Sequence, residues 1–139
     1  MVKSRIIRRI EFDYGHRILG HEGKCRHLHG HRGACEITVE ADSLDSVGRI
    51  IDFSVIKEVV GGWIMENWDH NMILHWKDPL IDHLRALGER KPCVMDCNPT
   101  SENLASFLFN FCVHKLPADI RVVQVRVYET PNCWADCYG

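Results

Sequence analysis

The sequence predicts an α+β fold in which helices pack on one face of an antiparallel sheet. Strand-like segments stand at both ends of the chain, and helix-like segments lie between them. This order is typical of α+β proteins rather than of folds in which strands and helices alternate. Neither an internal repeat nor a low-complexity segment interrupts the 139 residues. We therefore expect a single domain, 1–139.

The first two strands are predicted from alternating side chains. Residues 3–18 are rich in β-forming residues, and residues 30–42 alternate more clearly, with Cys35, Ile37 and Val39 on one side. The composition of residues 42–48 favours a loop, and residues 49–53 favour a short extended lead-in to the helical part.

Three helices are predicted in the middle of the chain. The first begins with Ser54 as N-cap and runs to about residue 67. The second is shorter and begins at Pro79, which suits the first helical position. The third follows residues 98–103, with Thr100 or Ser101 as the cap, and ends before Pro117. Its apolar residues recur at helical spacing, which indicates an amphipathic helix.

The remaining strands follow the second and third helices. A brief strand is predicted at residues 94–95, a clear one at 120–130, and a short one at 133–138. A single sheet of this size has two open edges, which proteins normally cover or pair. We therefore expect copies of the chain to associate strand to strand.

Composition limits the classes of function. There are 17 basic and 19 acidic residues, a net charge of −2, so nothing favours a partner such as nucleic acid or an anionic membrane. The apolar runs are shorter than the ~18 residues that a membrane span needs. The first residues contain no signal-peptide apolar block, so we expect a cytoplasmic protein.

The seven cysteines are expected to be reduced thiols, because their number is odd and no secretory signal is present. Two C-x-x-x-C pairs, Cys93/Cys97 and Cys133/Cys137, leave open a four-thiolate zinc site in a non-catalytic zinc-binding protein. Zinc ribbons usually have tighter, two-residue spacing, so we interpret these pairs as incidental.

The most informative segment is Cys25-Arg26-His27-Leu28-His29-Gly30-His31. In an extended strand its three histidines point to the same side, with neighbours about 7 Å apart and the outer two roughly 13 Å apart. One adjacent pair can share a metal ion, whereas the outer two are too far apart to do so. A third ligand must come from elsewhere, and His16 is the best candidate. Three histidines with an open fourth position are typical of catalytic zinc.

Two further polar groups have both a functional and an ordinary interpretation. The Asp69-His70 pair is a proton-transfer unit if the carboxylate orients the imidazole, although exposed loops often contain such pairs. Glu129 follows a valine-rich strand and is either a carboxylate held for a ligand or the point at which the strand reaches solvent. For Glu129 alone the sequence favours the second interpretation.

Taken in order, the motifs resemble the 6-pyruvoyl-tetrahydropterin synthase superfamily over nearly the whole chain. The matching segments are Phe12-Asp13-Tyr14-Gly15-His16-Arg17, Lys24-Cys25-Arg26-His27-Leu28-His29-Gly30-His31, Gly48-Arg49-Ile50-Ile51-Asp52-Phe53, Trp68-Asp69-His70, Asn98-Pro99-Thr100-Ser101-Glu102-Asn103-Leu104 and Tyr128-Glu129-Thr130. The spacing of Cys25, His29 and His31 is similar to that of the bacterial 6-carboxy-5,6,7,8-tetrahydropterin synthases of queuosine biosynthesis.

The resemblance implies a fold, a reaction and an assembly. The fold is the tunnelling (T-fold) architecture, in which the sheets of several subunits join into a barrel. The implied reaction converts 7,8-dihydroneopterin triphosphate into 6-carboxytetrahydropterin and releases acetaldehyde and triphosphate. The implied assembly is a homo-oligomer, a hexamer built as a dimer of trimers, with active sites at subunit interfaces. A close alternative is 6-pyruvoyl-tetrahydropterin synthase, which eliminates triphosphate and keeps the side chain.

The resemblance also implies residue roles. One zinc ion per chain would be held by His16, His29 and His31. Cys25 would be the base that removes a carbon-bound proton.

The other implied roles concern the proton relay and the pterin. Asp69 and His70 would form the relay, and Glu129 would anchor the pterin. Thr100, Ser101 and Glu102 would border the pterin pocket. His27 has no role in this scheme, and the resemblance does not account for the C-x-x-x-C pairs.

Overall fold

A computed structural model describes residues 3–139 and is built around one six-stranded sheet with the strand order β4-β3-β1-β2-β5-β6. The strands are β1 (Arg5–His16), β2 (His29–Glu40), β3 (Asn71–His75), β4 (Cys93–Met95), β5 (Arg121–Thr130) and β6 (Cys133–Tyr138). The strands predicted near both ends of the chain are confirmed. β3 was not predicted.

The sheet is mixed rather than wholly antiparallel. β1 and β2 form a long hairpin that pairs from Arg5 with Glu40 to His16 with His29, and β5 and β6 continue the antiparallel pairing. β3 pairs parallel to β1, and β4 pairs parallel to β3. The parallel pairs arise because helical segments precede both strands and return the chain in the same direction.

The helices are α1 (Phe53–Ile56), α2 (Gly62–Asn67), α3 (Leu80–Ala86) and α4 (Ser101–Lys115), with a π-helical turn, Lys57–Gly61, joining α1 and α2. The predicted N-cap of the first helix is wrong by two residues. Asp52 is the cap, and its side chain accepts a hydrogen bond from the Ser54 N–H. Pro79 was predicted at the first helical position of the second helix, and it is the N-cap residue directly before α3. Thr100 caps α4 as predicted.

The two faces of the sheet differ sharply. One face packs against the helices and buries apolar side chains such as Phe12, Ile37 and Val125. This arrangement confirms the α+β fold class with helices on one face. On the opposite face lie ladders of ion pairs, among them Arg5 with Glu40, Arg9 with Glu36, Arg32 with Asp13, and Arg126 with Asp136.

The cysteines are free thiols, as predicted. Cys35 and Cys112 are buried in the core, and burial raises the pKa of Cys112 to about 12. Among residues 3–139, no helix is long and apolar enough to cross a membrane.

Candidate functional site

Three histidines meet at one end of the sheet. His16 is the last residue of β1, and it pairs in register with His29, the first residue of β2. His31 is two residues further along β2, so its side chain points to the same face as that of His29. The ring centroids lie 4.6 to 5.1 Å apart. The structure therefore selects His29 and His31 as the adjacent pair and His16 as the remote third histidine.

Backbone carbonyls fix how two of these rings are protonated. His16 Nδ1 lies 2.7 Å from the Pro99 carbonyl oxygen, and His29 Nδ1 lies 2.7 Å from that of His27. A carbonyl only accepts, so each Nδ1 carries the proton and each neutral ring keeps a bare Nε2. These two Nε2 atoms lie 3.1 Å apart. Two lone pairs at this distance repel each other unless a cation lies between them.

Burial favours the neutral form of the His16 and His31 imidazoles, which is the form that binds metal. Burial is the largest cause that lowers the pKa of His16 from 6.5 to about 4, and the charges of His29 and His31 lower it further. Burial also lowers the pKa of His31. The Nε2 atom of His31 is buried and has no hydrogen-bond partner. An unpartnered ligand atom of this kind fits a metal site.

Glu129 lies in the same cluster. The sequence predicted Glu129 as a pterin anchor but did not predict its contact with the histidines. It lies near the end of β5, and its Oε1 atom is 3.4 Å from Nε2 of both His16 and His31. The ligand atoms of these residues and of His29 all lie within 4.8 Å of one another, so the four side chains could hold a metal ion. A fourth protein ligand would close a zinc site, whereas a carboxylate facing a substrate would leave it open.

Cys25 lies in the connection between β1 and β2. It is half-buried in a 3₁₀ turn, Lys24–Arg26, and its carbonyl accepts a hydrogen bond of 2.9 Å from the Ile18 N–H. The connection is also tied to the start of α4, since the Asn98 side chain exchanges two hydrogen bonds with the Leu19 backbone, at 2.9 and 3.0 Å. This tie joins the connection, at Leu19, to the segment that precedes α4.

The predicted pterin-pocket residues lie at the start of α4. Thr100 Oγ1 accepts a hydrogen bond of 3.1 Å from the Asn103 N–H, so this hydroxyl already serves as a helix cap. Ser101 and Glu102 begin the helix; Ser101 is half-buried and Glu102 is exposed. The direct contact of this segment with the histidine cluster is the Pro99 carbonyl, which the sequence did not single out.

Asp69 and His70 form a close pair in the turn before β3. His70 Nδ1 lies 2.7 Å from Asp69 Oδ2. His70 has a φ angle of 55°, an uncommon conformation for a residue other than glycine. Arg90 stabilises this turn by donating hydrogen bonds to the carbonyls of Asp69, at 2.7 Å, and Glu66. Neither Arg90 nor Asp13, which also contacts the pair, was predicted.

The pair and the histidine cluster lie on opposite faces of β1. His70 contacts Asp13, three residues before His16, and side chains alternate along a strand, so Asp13 and His16 point to opposite faces. Within residues 3–139, no hydrogen bond, ion pair or ring contact joins His70 to the three clustered histidines. A cleft of about 680 Å³ at this end of the sheet is nevertheless lined by His29, His31 and His70.

An ion pair between a buried carboxylate and a partly exposed arginine supports the chain directly after His16. Asp78 is 2% exposed and accepts hydrogen bonds from the Arg17 guanidinium, with Nε 2.8 Å away, and from the Leu80 N–H at 2.8 Å. The pKa of Asp78 is lowered: burial, the largest single effect, raises it, but the hydrogen bonds from Arg17 and the Leu80 N–H and the positive charge of Arg17 together outweigh burial. The pair joins the end of β1 to the start of α3.

The chain is similar to several known proteins. A 6-carboxy-5,6,7,8-tetrahydropterin synthase of Rickettsia felis is 45% identical over 132 residues, which are 93% of this chain and 96% of that protein. An uncharacterized protein of Wolinella succinogenes has a similar structure, with a TM-score of 0.87, 26% identity and coverage of 100% and 99% of the two chains.

A second solved structure, the 6-pyruvoyl tetrahydropterin synthase of Plasmodium vivax, shares the fold, with a TM-score of 0.76, 17% identity and coverage of 100% of this chain and 99% of that one. The model of the 6-pyruvoyl tetrahydropterin synthase family matches residues 5–139. The family match, the identity to curated relatives and the histidine cluster agree, and the chain belongs to the 6-pyruvoyl tetrahydropterin synthase family.

Proposed function

We propose that the protein converts 7,8-dihydroneopterin triphosphate and water into 6-carboxy-5,6,7,8-tetrahydropterin, acetaldehyde and triphosphate. It would do so as a zinc-dependent lyase of queuosine biosynthesis in the cytoplasm. Relatives that carry the name 6-carboxy-5,6,7,8-tetrahydropterin synthase support this reaction. The proposal goes beyond family membership, which establishes only a pterin synthase.

The observation that carries the proposal is the pair of bare Nε2 atoms of His16 and His29, 3.1 Å apart, beside the unpartnered Nε2 of His31. Three neutral imidazoles are a donor set that suits zinc. When bound, zinc would lower the pKa of the substrate's side-chain hydroxyls and stabilise negative charge on their oxygens. The backbone carbonyls of Pro99 and His27 would orient the ligand rings from behind.

The chain's other residues supply binding and proton transfer. Cys25 would remove a carbon-bound proton as a thiolate, a form that a nearby cation such as the bound zinc would favour. Asp69 would orient His70, which passes the second proton. Glu129 would accept paired hydrogen bonds from the pterin ring N–H and its exocyclic amine. Its Oε1 lies 3.4 Å from Nε2 of both His16 and His31, which supports a pterin ring that would bind next to the zinc.

We further propose that the working enzyme is a homo-oligomer, a hexamer arranged as a dimer of trimers. The separation of the histidine cluster from His70 on opposite faces of β1 supports this assembly, since a second copy could bring its own relay to the cluster. The outer strands β4 and β6 also leave two sheet edges free for pairing. A complete site would then contain residues of more than one copy.

Two alternative functions, one enzymatic and one non-catalytic, compete with this proposal. A 6-pyruvoyl-tetrahydropterin synthase would use the same zinc ligands and the same thiol. The similarity to the Plasmodium vivax structure does not favour it, because that likeness shows the fold alone. A non-catalytic zinc-binding protein would instead use the cysteine pairs and hold more than one zinc per chain.

Product analysis tests the proposal. The zinc-loaded protein is incubated with 7,8-dihydroneopterin triphosphate, and the pterin products are separated by chromatography and identified by mass spectrometry. We expect 6-carboxytetrahydropterin. Formation of 6-pyruvoyl-tetrahydropterin alone would assign the alternative reaction, and recovery of unchanged substrate by a fully zinc-loaded oligomer would contradict both.

A further inference from the structure

We propose that Tyr14 is a positioning residue whose buried hydroxyl donates a hydrogen bond to the Glu129 carboxylate when the clustered histidines bind zinc. This bond fixes the direction in which the carboxylate faces the pterin. The inference rests on the proposed function, in which Glu129 anchors the pterin beside a zinc ion. It gives a role to a side chain of β1 that belongs neither to the zinc ligands nor to the relay.

The Tyr14 hydroxyl is a buried polar group without a partner. The residue is 3% exposed, and within residues 3–139 its oxygen atom makes no hydrogen bond. Buried hydroxyls of folded proteins are nearly always hydrogen-bonded, because an unpaired one has lost its water and gained nothing in return. An unpartnered hydroxyl of this kind indicates that its acceptor comes within reach in another state of the site.

The ring of Tyr14 packs against two of the clustered histidines. Tyr14 pairs with His31 across the hairpin, and it lies on the same face of β1 as His16, two residues further along. Its ring centroid is 5.1 Å from that of His16 and 5.6 Å from that of His31. Tyr14 therefore forms part of the wall of the histidine cluster.

Gly33 of β2 lies between Tyr14 and the strand that carries Glu129. A Cβ atom at Gly33 would lie 2.7 Å from Tyr14 Cε1 and 3.2 Å from the Tyr128 carbonyl oxygen, so the Tyr14 ring covers this glycine closely. Glu129 follows Tyr128, which pairs with the residue after Gly33. Burial, the larger cause, and the negative charge of Glu129 both raise the pKa of Tyr14. The carboxylate therefore acts on the hydroxyl across the space above Gly33.

Zinc binding decides which atoms can accept the Tyr14 proton. The ion takes the Nε2 lone pairs of the three histidines, so these rings can no longer accept a hydrogen bond. The Glu129 carboxylate belongs to the same cluster, with Oε1 3.4 Å from Nε2 of both His16 and His31. A carboxylate has about four lone-pair positions, so it can accept from the hydroxyl and from two pterin N–H groups together. Glu129 is the acceptor that the zinc-bound cluster offers to Tyr14.

A fixed carboxylate binds the pterin more tightly than a mobile one. Paired hydrogen bonds require both carboxylate oxygens to face the ring at once. A side chain that is already held in this orientation loses less conformational freedom when the ring binds. Removal of the Tyr14 hydroxyl should therefore weaken pterin binding through Glu129 while the zinc stays in place.

The first test detects the hydrogen bond without substrate. Tyrosine labelled with ¹³C at Cζ gives one NMR signal for each of the three tyrosines, and substitution of each by Phe identifies its signal. We expect zinc loading to move the Tyr14 signal downfield, because a phenol that donates to a carboxylate gains phenolate character. Glu129→Gln keeps the size of the side chain but removes the charge, and it should abolish most of this movement.

The other tyrosines are internal controls for this spectrum. Tyr128 lies next to Glu129 in the chain, but its hydroxyl donates to Glu36 at 3.3 Å on the opposite face of the sheet, and Tyr138 is 75% exposed. A Tyr14 signal that stays in place on zinc loading, or that moves equally in Glu129→Gln, would overturn the proposal. Loss of zinc by Tyr14→Phe would also overturn it, because the hydroxyl would then be a ligand of the ion.

The second test is a double-mutant cycle on pterin affinity. Isothermal titration of the zinc-loaded protein uses neopterin, an oxidised pterin without triphosphate. Tyr14→Phe should weaken binding about tenfold, as expected for a hydrogen bond to a charged group. In the Glu129→Gln background the same substitution should have little further effect, because the acceptor charge is already absent. Tyr128→Phe is the matched control and should leave the affinity unchanged.

The outcomes separate this inference from the proposed function. An equal loss of affinity in both backgrounds would show that Tyr14 does not act through Glu129 and would overturn the positioning role. A wild type that binds no neopterin and forms no pterin product would instead refute the proposed function. In that case the NMR comparison of the wild type with Glu129→Gln still decides whether the hydroxyl and the carboxylate are bonded.

Discussion

His16 Nε2 and His29 Nε2 lie 3.1 Å apart while the opposite nitrogen of each ring faces a backbone carbonyl. Without a cation, two neutral rings held in this way bring two lone pairs together. The hairpin register causes this contact, since the two residues are the final pair of β1 and β2. The strand pairing therefore builds a site that a metal ion stabilises.

Two substitutions, His29→Ala and Cys25→Ala, should distinguish zinc binding from catalysis. We expect His29→Ala to lose the zinc, because two of the three imidazoles alone are a poor site. Cys25→Ala should keep one zinc per chain and the fold but lose turnover, because the thiol is proposed as base and not as ligand. Metal analysis after gel filtration and a turnover assay check both variants. Full turnover by Cys25→Ala would contradict the role of the thiol.

Glu129 can be tested as pterin anchor or as fourth zinc ligand. If it anchors the pterin, Glu129→Gln should keep zinc and weaken pterin binding by tenfold or more, because the amide is uncharged and replaces one of the two accepting oxygens with an N–H donor. Isothermal titration with a non-reactive pterin measures the affinity, with zinc content determined on the same sample. Loss of zinc in Glu129→Gln with pterin affinity unchanged would identify a closed metal site instead.

Metal-free protein should lose stability on acidification. The pKa of His16 is about 4 in the folded chain and near 6.5 in the unfolded chain, so below pH 6.5 the unfolded state binds a proton that the folded state does not. Stability should therefore decrease between about pH 6.5 and 4, by up to ~3 kcal/mol. Urea unfolding of EDTA-treated protein measures this decrease, and a His16→Asn variant should show less of it. An equally steep decrease in that variant would contradict the assignment.

The buried Asp78 should be important for stability. Asp78→Ala leaves Arg17 without its partner and the Leu80 N–H without its acceptor, which we expect to cost roughly 2–4 kcal/mol. Arg17 is partly exposed, which limits the cost. Asp82→Ala is the control, because Asp82 is 88% exposed and its contact with Arg85 spans 3.7 Å. Urea unfolding should show little change for the control; equal effects of the two substitutions would contradict this account.

Complementation tests whether a second copy completes the site. Co-expressed His29→Ala and His70→Ala chains should recover activity, since a hetero-oligomer can combine an intact histidine cluster with another copy's intact relay. Each variant alone should be inactive. Analytical ultracentrifugation of the wild type should show an oligomer; an active, monodisperse monomer would contradict the assembly.

Much of the fold was predictable from local pattern. Alternation gave β1, β2 and β5, and the Thr100 cap marked the start of α4. β3 was missed because Met72, Ile73 and Leu74 form a short apolar run without alternation. Its parallel pairing with β1 depends on contacts far apart in sequence. The predicted N-cap of the first helix, Ser54, lies two residues after the observed one. The Asp52 carboxylate, rather than the Ser54 hydroxyl, accepts the capping hydrogen bond.

The site was predictable where the spacing of residues determined it. The two-residue period of a strand predicts that one adjacent histidine pair shares a metal, and the family resemblance selects His29 and His31. The hairpin register then brings His16 against them. The contacts of Glu129, Asp13 and Arg90 depend on how β5, β1 and the loop after α3 meet, and no local pattern encodes that. His27 also has a role, because its backbone carbonyl orients His29 although its ring does not join the cluster.

The proposed reaction releases acetaldehyde together with triphosphate, so measuring both products in one incubation tests it. Zinc-loaded protein is given 7,8-dihydroneopterin triphosphate, and acetaldehyde and triphosphate are measured over time, with Cys25→Ala as the inactive control. We predict that the two are released in equal amounts. Triphosphate release without acetaldehyde would contradict the claim and assign the chain a 6-pyruvoyl product.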